Sequence, residues 1–292
     1  MEFIHLGHTS SIAEVYDPSI LEPIARVLAR EQFEPNAAQQ FIGQDIWQCY
    51  ELSWLTPTGR PIVAVLRFGI SAASAYIVES KSLKLYLQAL NMTQFSSAAK
   101  LEGIIARDLK QVLGQDLSFC ELITVNSMDE HTSGPAWRIE SLQAFAAKTS
   151  LNVVWLDALE CSCDMYTPNA SFLTGKACDD RVSYVSNQFR SLCPVTQQPD
   201  YASIVVQTKG FRFDPTLLVQ YLVSFRQHGG FHEQCIERIF LDLRTVAPNQ
   251  FDELSVVGRF TRRGGIDINP ERHLNQHSQA ASRAWQVRHW RQ

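Results

Sequence analysis

Apolar residues recur at helical spacing in several segments of the chain, and each pair of these segments follows an extended apolar stretch. In the first half, PIVAVLRFGI (61–70) precedes the segments LKLYLQALN (83–91) and SSAAKLEGIIARDLKQVL. In the second half, SIVVQTKGFRF (203–213) precedes LVQYLVSFR (218–226) and FHEQCIERIFLDL. Apolar positions every three or four residues predict amphipathic helices, and runs rich in β-branched residues predict strands.

The two halves of the chain resemble each other. Tyr86 of the first helix in one half aligns with Tyr221 in the other, and the second helices share an Asp-Leu pair that begins at Asp108 and Asp242. The order strand, helix, helix is the same in both. A duplication of this kind predicts two similar α+β modules.

Turn and capping residues set the limits of the predicted elements. Asp214 followed by Pro215 is a good helix start, with an N-cap and a proline at the first helical position. DELSVVGRFTRRGGIDIN (252–269) predicts two strands around a basic turn with two glycines, and CELITVNS (120–127) stands at the corresponding place in the first half. The predicted fold class is α+β, with antiparallel sheets and helices packed on one face.

The predicted organisation has five parts. They are an N-terminal extension (1–45), a first module (46–127), a connecting region (128–184), a second module (185–270) and a polar tail (271–292). The tail is polar enough that we expect it to be poorly packed.

Composition limits the classes of function. The chain has 292 residues, of which 45% are hydrophobic and 19% charged, and its net charge is −4. A weakly acidic protein is a poor candidate for binding nucleic acid through phosphates. The sequence has no apolar run long enough for a membrane span and no signal peptide. Seven cysteines, an odd count, favour reduced thiols in the cytoplasm.

Candidate metal ligands occur only in weak patterns. They are Cys161, Cys163 and Cys178, the pair His5 and His8, and the group His228, His232 and Glu233. A structural zinc site usually has two matched cysteine pairs, and no second pair accompanies the C-x-C here. We therefore expect no bound metal. The chain also lacks G-x-G-x-x-G, so a dinucleotide would not bind in the Rossmann manner.

The stretch SLCPVTQQPDY (191–201) contains a cysteine in a turn-like setting. Cys193 precedes a proline and polar residues, and Asp200 follows in the same stretch. A nucleophilic thiol needs thiolate character and a nearby proton donor, and Asp200 could be that donor. A buried packing cysteine is the competing interpretation, and the residue types alone leave both open.

Two basic stretches are candidate anion sites. In VESKSLKLYL (78–87), Ser80, the first-turn amides, Lys81 and Lys84 could hold phosphates at a helix start, although a solvated lysine face is the common alternative. In TRRGG, two arginines and two glycines form a second candidate, and a simple polar hairpin is the alternative.

Four stretches together resemble a known family. VESKSLKLYLQALN, SLCPVTQQPDY, YLVSFRQHGGFHEQCIERI and RFTRRGGIDINP are similar to the 7-cyano-7-deazaguanine reductases, in their long, two-module, NADPH-dependent form. The resemblance implies tandem tunnelling-fold modules, a homodimer, and reduction of a nitrile to an amine for queuosine biosynthesis. It implies no direct contact with nucleic acid or membrane.

The resemblance also implies roles for single residues. Cys193 would form a covalent thioimide with the nitrile, and Asp200 would be the proton donor. The substrate pocket would be lined by Val78, Glu79, Ser80, His232 and Glu233. The NADPH contacts would be Ser80, Lys81, Arg263 and Gly264.

Other classes of function predict different features. A tunnelling-fold enzyme acting on pterins, such as a cyclohydrolase relative, would need metal ligands that the chain lacks in convincing spacing. A purine- or pterin-binding module without chemistry would not need the pair Cys193 and Asp200. A tRNA-binding protein would be expected to have a basic, aromatic-rich stretch.

Overall fold

The computed structural model describes residues 15–31, 41–124, 147, 151–286, 289 and 291–292. The chain divides into two compact units. The first unit comprises residues 1–40, 44–133 and 262–268, and the second comprises 41–43, 134–261 and 269–292. Both combine strands and helices, which confirms the predicted α+β class. His5 and His8 lie outside the described residues.

The first unit contains a sheet with the strand order β5-β3-β2. Its elements are β1 (Pro23–Ala25), α1 (Val27–Arg30), β2 (Ile42–Leu55), β3 (Pro61–Ser71), β4 (Tyr76–Val78), α2 (Ser80–Ala89), α3 (Ala98–Leu113) and β5 (Phe119–Thr124). Both pairings in this sheet are antiparallel, with Leu66 of β3 opposite Cys49 of β2 and Leu122 of β5. The buried apolar faces of α2 and α3 pack on it, as their spacing predicts.

The second unit contains a sheet with the strand order β10-β9-β8-β7-β6. Its elements are β6 (Val153–Trp155), β7 (Gly175–Leu192), β8 (Pro199–Phe213), α4 (Pro215–Val223), α5 (His232–Val246), β9 (Glu253–Phe260), β10 (Ile266–His273) and α6 (Gln276–Ser282). All pairings are antiparallel except β6 with β7, which is parallel. β7 begins inside the predicted connecting region, and β10 begins among residues of the first unit.

The predicted internal repeat is visible as the same hydrogen bond in each unit. The Tyr86 hydroxyl donates to Asp108 Oδ2 at 2.9 Å between α2 and α3. The Tyr221 hydroxyl donates to Asp242 Oδ2 at 2.7 Å between α4 and α5. The four residues are those that the sequence alignment pairs. A buried tyrosine hydroxyl needs a hydrogen-bond partner, and in both copies of the module that partner is an aspartate carboxylate.

Many of the described residues after Pro270 are buried, which contradicts the expectation of a poorly packed tail. Trp285 is fully buried against Val185, Val205 and Val257 of the second sheet. The Ser282 hydroxyl lies 3.4 Å from His273 Nδ1 and donates to the Gln279 carbonyl, three residues earlier in the chain. Polar side chains that bond to one another can be buried at little cost, and polar composition is then no sign of exposure.

The N-terminal segment 15–31 is also part of the first unit. β1 pairs with β4 antiparallel, and Leu21 belongs to the apolar core. In the part of the chain that the structure describes, no helix is long and apolar enough to cross a membrane.

Candidate active site

Cys193 lies in the tight loop between β7 and β8. Its N–H donates to the Gln198 carbonyl at 2.9 Å, and the Gln197 N–H donates back to the Cys193 carbonyl at 3.0 Å. Gln197 has a positive φ of 56°, which a tight turn of this kind requires of one residue. At the loop's base Leu192 faces Pro199, and Ser191 faces Asp200. The hairpin therefore fixes Cys193 and Asp200 on neighbouring strand ends.

The sulfur of Cys193 is sheltered but has a polar neighbour. The residue is 5% exposed, and the Thr196 N–H points at Sγ from 3.5 Å. The thiol therefore has a backbone N–H donor beside it in the loop.

The start of α5 adds an imidazole and a carboxylate to this unit's site. His232 Nε2 lies 3.4 Å from Asp200 Oδ1. The His232 ring stacks on the Phe260 ring, with centroids 3.9 Å apart and planes 9° apart. His232 Nδ1 is shielded from solvent and has no hydrogen-bond partner among the described residues. A buried ring nitrogen without a partner is available to a polar group of a ligand.

Glu233 stands next to His232 in the first turn of α5 and is 2% exposed. The helix start is closed by Gln234, whose side-chain oxygen accepts the Phe231 N–H at 3.1 Å. The segment before the helix is tied to the β7–β8 hairpin, since the Leu192 N–H donates to the His228 carbonyl at 2.9 Å. The second unit thus holds four of the predicted site residues on the β7–β8 hairpin and the first turn of α5.

In the first unit, Glu79 is the N-cap of α2. Its carboxylate accepts the Lys81 N–H at 2.8 Å and the Ser82 N–H at 2.7 Å, and the residue is fully buried. Burial raises the pKa of Glu79, although these two bonds act in the opposite direction. The expectation that the first-turn amides of α2 hold phosphate is therefore wrong, because the Glu79 side chain already occupies two of them.

Val78, Ser80 and Lys81 surround this cap. Val78 is buried at the end of β4, while Ser80 and Lys81 are half-buried on the first turn of α2. Glu22, which belongs to no recognised motif, approaches the same turn. The Glu79 N–H donates to the Glu22 carbonyl at 2.8 Å.

Arg263 and Gly264 lie on the exposed turn before β10, within the first unit. Gly264 has a φ of 59°, in the left-handed region that glycine adopts readily. Lys84 of α2 reaches this turn and donates to the Gly264 carbonyl at 2.6 Å. Lys84 is thus engaged at the turn itself.

The weak metal candidates among the described residues do not form a metal site. The sulfurs of Cys161 and Cys163 are 3.7 Å apart, and Cys178 bonds to the Asp180 carbonyl. Within residues 15–31, 41–124, 151–286 and the other described positions, no group of three or more His, Cys, Asp or Glu side chains could hold a metal ion.

Sequence reasoning missed Phe260 and Glu51 as neighbours of site residues. Phe260 supports His232, and Glu51 lies 3.0 Å from the Lys84 ammonium. Phe260 lies in the stretch RFTRRGGIDINP that carries part of the family resemblance, but its residue type suggests no chemistry. Glu51 lies in none of the four stretches that carry the resemblance.

Comparison with known proteins gives two family matches and close relatives. A family model described as nitrile reductase, 7-cyano-7-deazaguanine-reductase N-term, matches residues 12–120, and one described as QueF-like protein matches residues 199–279. The NADPH-dependent 7-cyano-7-deazaguanine reductase of Burkholderia vietnamiensis is 42% identical over 270 residues, covering 91% of this chain and 92% of the relative. The enzyme of that name from Desulfotalea psychrophila is 40% identical over 272 residues, covering 92% of each chain.

Proposed function

Because the chain belongs to the family of NADPH-dependent 7-cyano-7-deazaguanine reductases, we propose that it reduces its nitrile substrate through a covalent adduct on Cys193. The overall reaction converts 7-cyano-7-deazaguanine to 7-aminomethyl-7-deazaguanine, a step of queuosine biosynthesis. The observation that carries the proposed mechanism is the β7–β8 hairpin. This hairpin holds a thiol with an N–H donor and a buried carboxylate, and the carboxylate lies beside the imidazole of His232.

The proposed first step makes the nitrile reactive. The thiolate of Cys193 adds to the nitrile carbon and forms a C–S bond, while the nitrile nitrogen takes a proton from Asp200. The product is a thioimide, whose C=N group accepts a hydride more readily than a neutral nitrile does. His232, 3.4 Å from Asp200, is placed to orient the carboxyl group and to return a proton to it.

The later steps use the same residues. This four-electron reduction needs two hydride ions, which two molecules of NADPH, bound in turn, would supply one each. After the first reduction the C–S bond breaks, Cys193 leaves as a thiolate, and an imine remains on the substrate. The low exposure of Cys193 and Asp200 limits the access of water, which would otherwise hydrolyse that imine.

Substrate recognition is proposed for Glu233 and Glu79. A carboxylate can accept two parallel N–H bonds from a guanine-like edge, and both side chains are almost completely buried. Val78, Ser80 and His232 would complete the contacts. His232 Nδ1 lacks a partner among the described residues, which supports a polar contact with a ligand.

Cofactor binding is proposed for Ser80, Lys81, Arg263 and Gly264. This donor set suits phosphate groups, since it combines a hydroxyl, an ammonium and a guanidinium with a glycine that lets the backbone approach closely. Arg263 is exposed at its turn, and a guanidinium can bind the 2′-phosphate that distinguishes NADPH from NADH.

The mechanism is tested by intact mass spectrometry with substrate and without NADPH. We expect the wild-type protein to gain the mass of one substrate molecule and the variant Cys193→Ala to gain none. Cys178→Ala is the matched control, because that thiol lies at the far end of β7 and should leave the adduct intact. If Cys193→Ala still gains the substrate mass, the nucleophile is another residue.

The finer structural and cellular expectations belong to the same proposal. We propose that both modules are tunnelling folds, that the chain forms a homodimer, and that the enzyme works in the cytoplasm, all as the family resemblance implies. Size-exclusion chromatography with light scattering should give a mass of twice the 33.0 kDa of one chain. A mass equal to that of one chain would contradict the dimer.

A further inference from the structure

The basic turn 262–265 is held in place by side chains that have no proposed contact with substrate. We propose that Glu51 and Lys84 are positioning residues, which set this turn and so orient Arg263 toward the phosphates of NADPH. This role rests on the proposed contact between Arg263 and the cofactor.

The turn itself is a two-residue hairpin with a demanding backbone. The Arg263 N–H donates to the Ile266 carbonyl at 2.9 Å, and the Ile266 N–H donates to the Arg263 carbonyl at 3.2 Å. Gly264 and Gly265 between them have φ of 59° and 77°. Two successive positive φ values are those of a type I′ turn, and glycine adopts them without steric cost. The backbone direction at Arg263 is therefore fixed by the turn.

Both glycine carbonyls are bound by groups outside the turn. Lys84 Nζ donates to the Gly264 carbonyl at 2.6 Å, and the Tyr50 N–H donates to the Gly265 carbonyl at 2.9 Å. Lys84 Nζ also lies 3.0 Å from Glu51 Oε2. These contacts join β2, α2 and the turn inside the first unit.

In its observed conformation, the Glu51 side chain occupies the space where a side chain on residue 265 would begin. A β-carbon on Gly265 would lie 2.4 Å from Glu51 Cδ, which is far closer than van der Waals contact allows. Glycine at this position serves the contact as well as the positive φ. The carboxylate is therefore packed on the turn in addition to pairing with Lys84.

The basic side chains at the turn make different contacts. Two of the three donors of the Lys84 ammonium are directed at Glu51 and Gly264, and the Arg262 guanidinium lies 4.6 Å above the Tyr50 ring. Arg262 and Arg263 are both exposed. Lys84 and Arg262 thus support the turn, and the two backbone bonds with Ile266 hold Arg263 in it.

The ion pair itself contributes little to stability, which makes the role testable. Lys84 and Glu51 have side chains that are 30% and 61% exposed, and exposed pairs are worth little. Variants at these positions should fold normally and change only the geometry of the turn.

The test compares Lys84→Met, Lys84→Arg and Glu51→Gln in steady-state assays with NADPH and with the nitrile varied in turn. We expect KM for NADPH to rise about tenfold in Lys84→Met and about threefold in Glu51→Gln, the sizes expected for losing charge-assisted hydrogen bonds. KM for the nitrile should stay within about twofold, and Lys84→Arg should restore most of the loss. Lys110→Met is the matched control, because Lys110 forms a similar exposed pair with Asp116 at 2.8 Å on α3.

The sign of the Glu51→Gln effect decides between positioning and direct contact. If Lys84 binds phosphate itself, removing its competing carboxylate leaves KM for NADPH unchanged or lowers it, and the positioning role is then wrong. Equal rises in both KM values would also overturn it. Failure of the proposed function would look different, since wild-type protein and Lys110→Met would then form no adduct and oxidise no NADPH.

Discussion

Replacing Asp200 by asparagine tests the proposed proton donor with almost no change in shape. Asp200 is 7% exposed, and its Oδ1 lies 3.4 Å from His232 Nε2. The amide oxygen of asparagine can keep this contact, but an amide cannot deliver a proton to the nitrile nitrogen. The substitution therefore removes the acid and retains the packing.

The expected size of the effect follows from the surroundings of the site. A positioned general acid contributes about 10²- to 10⁴-fold to a rate. Because Cys193 and Asp200 are both nearly excluded from solvent, bulk water is a poor substitute for the lost acid. We therefore expect the rate of adduct formation to fall by at least about 10²-fold in Asp200→Asn.

The assay is a time course of quenched samples analysed by intact mass, with substrate in excess and no NADPH. Asp214→Asn is the matched control. Asp214 caps α4 by accepting the Thr216 N–H at 2.9 Å, and asparagine caps a helix about as well as aspartate. The reasoning is refuted if Asp200→Asn forms the adduct within about threefold of the wild-type rate while Asp214→Asn does the same.

Three further predictions concern the cofactor, the packed C-terminal segment and acid stability. Arg263→Ala should raise KM for NADPH about tenfold or more and leave KM for the nitrile unchanged, and equal changes in both would contradict the cofactor role. Trp285→Ala should lower the free energy of unfolding by about 3–5 kcal/mol in urea titrations, because it empties a fully buried site, and a loss below about 1 kcal/mol would contradict that packing. Burial and two nearby arginines lower the pKa of His289 from 6.5 to about 3. As the pH falls below 6.5, His289 therefore becomes protonated in the unfolded chain but stays neutral in the folded protein. The free energy of unfolding should therefore drop by up to about 1.4 kcal/mol per pH unit between pH 6.5 and 3. In urea titrations, His289→Gln should lose less of this free energy than the wild-type protein between pH 7 and pH 5. An equal loss in the two proteins would refute the lowered pKa of His289.

The sequence was informative wherever a local pattern determines the structure. Helical spacing identified the helices that contain Tyr86 and Tyr221, and the aligned aspartates turned out to be their hydrogen-bond partners. The Cys193 stretch was recognisable as a turn from its proline and polar residues. Its chemistry, however, came from resemblance to a family, because residue types alone left packing and catalysis open.

Contacts between residues far apart in the chain could not be predicted from the sequence. Glu51 meets Lys84 only because β2 and α2 pack together, and Phe260 meets His232 only because β9 ends beside α5. The first-turn amides of α2 look available in the sequence, but Glu79 folds back onto them. Which polar group binds a given N–H depends on the folded geometry, and the local sequence does not determine it.

The position of β9 inside the second sheet has a consequence for how this unit opens. All eight residues of β9 are buried, and it is hydrogen-bonded to β8 on one side and β10 on the other. Amide protons in such a strand exchange with solvent only when the whole unit unfolds. Phe260, which supports His232, is the last residue of that strand. Phe260 pairs with Ala202 of β8, so the support of the His232 ring is anchored in the sheet and should persist through the local fluctuations that open the surface loops.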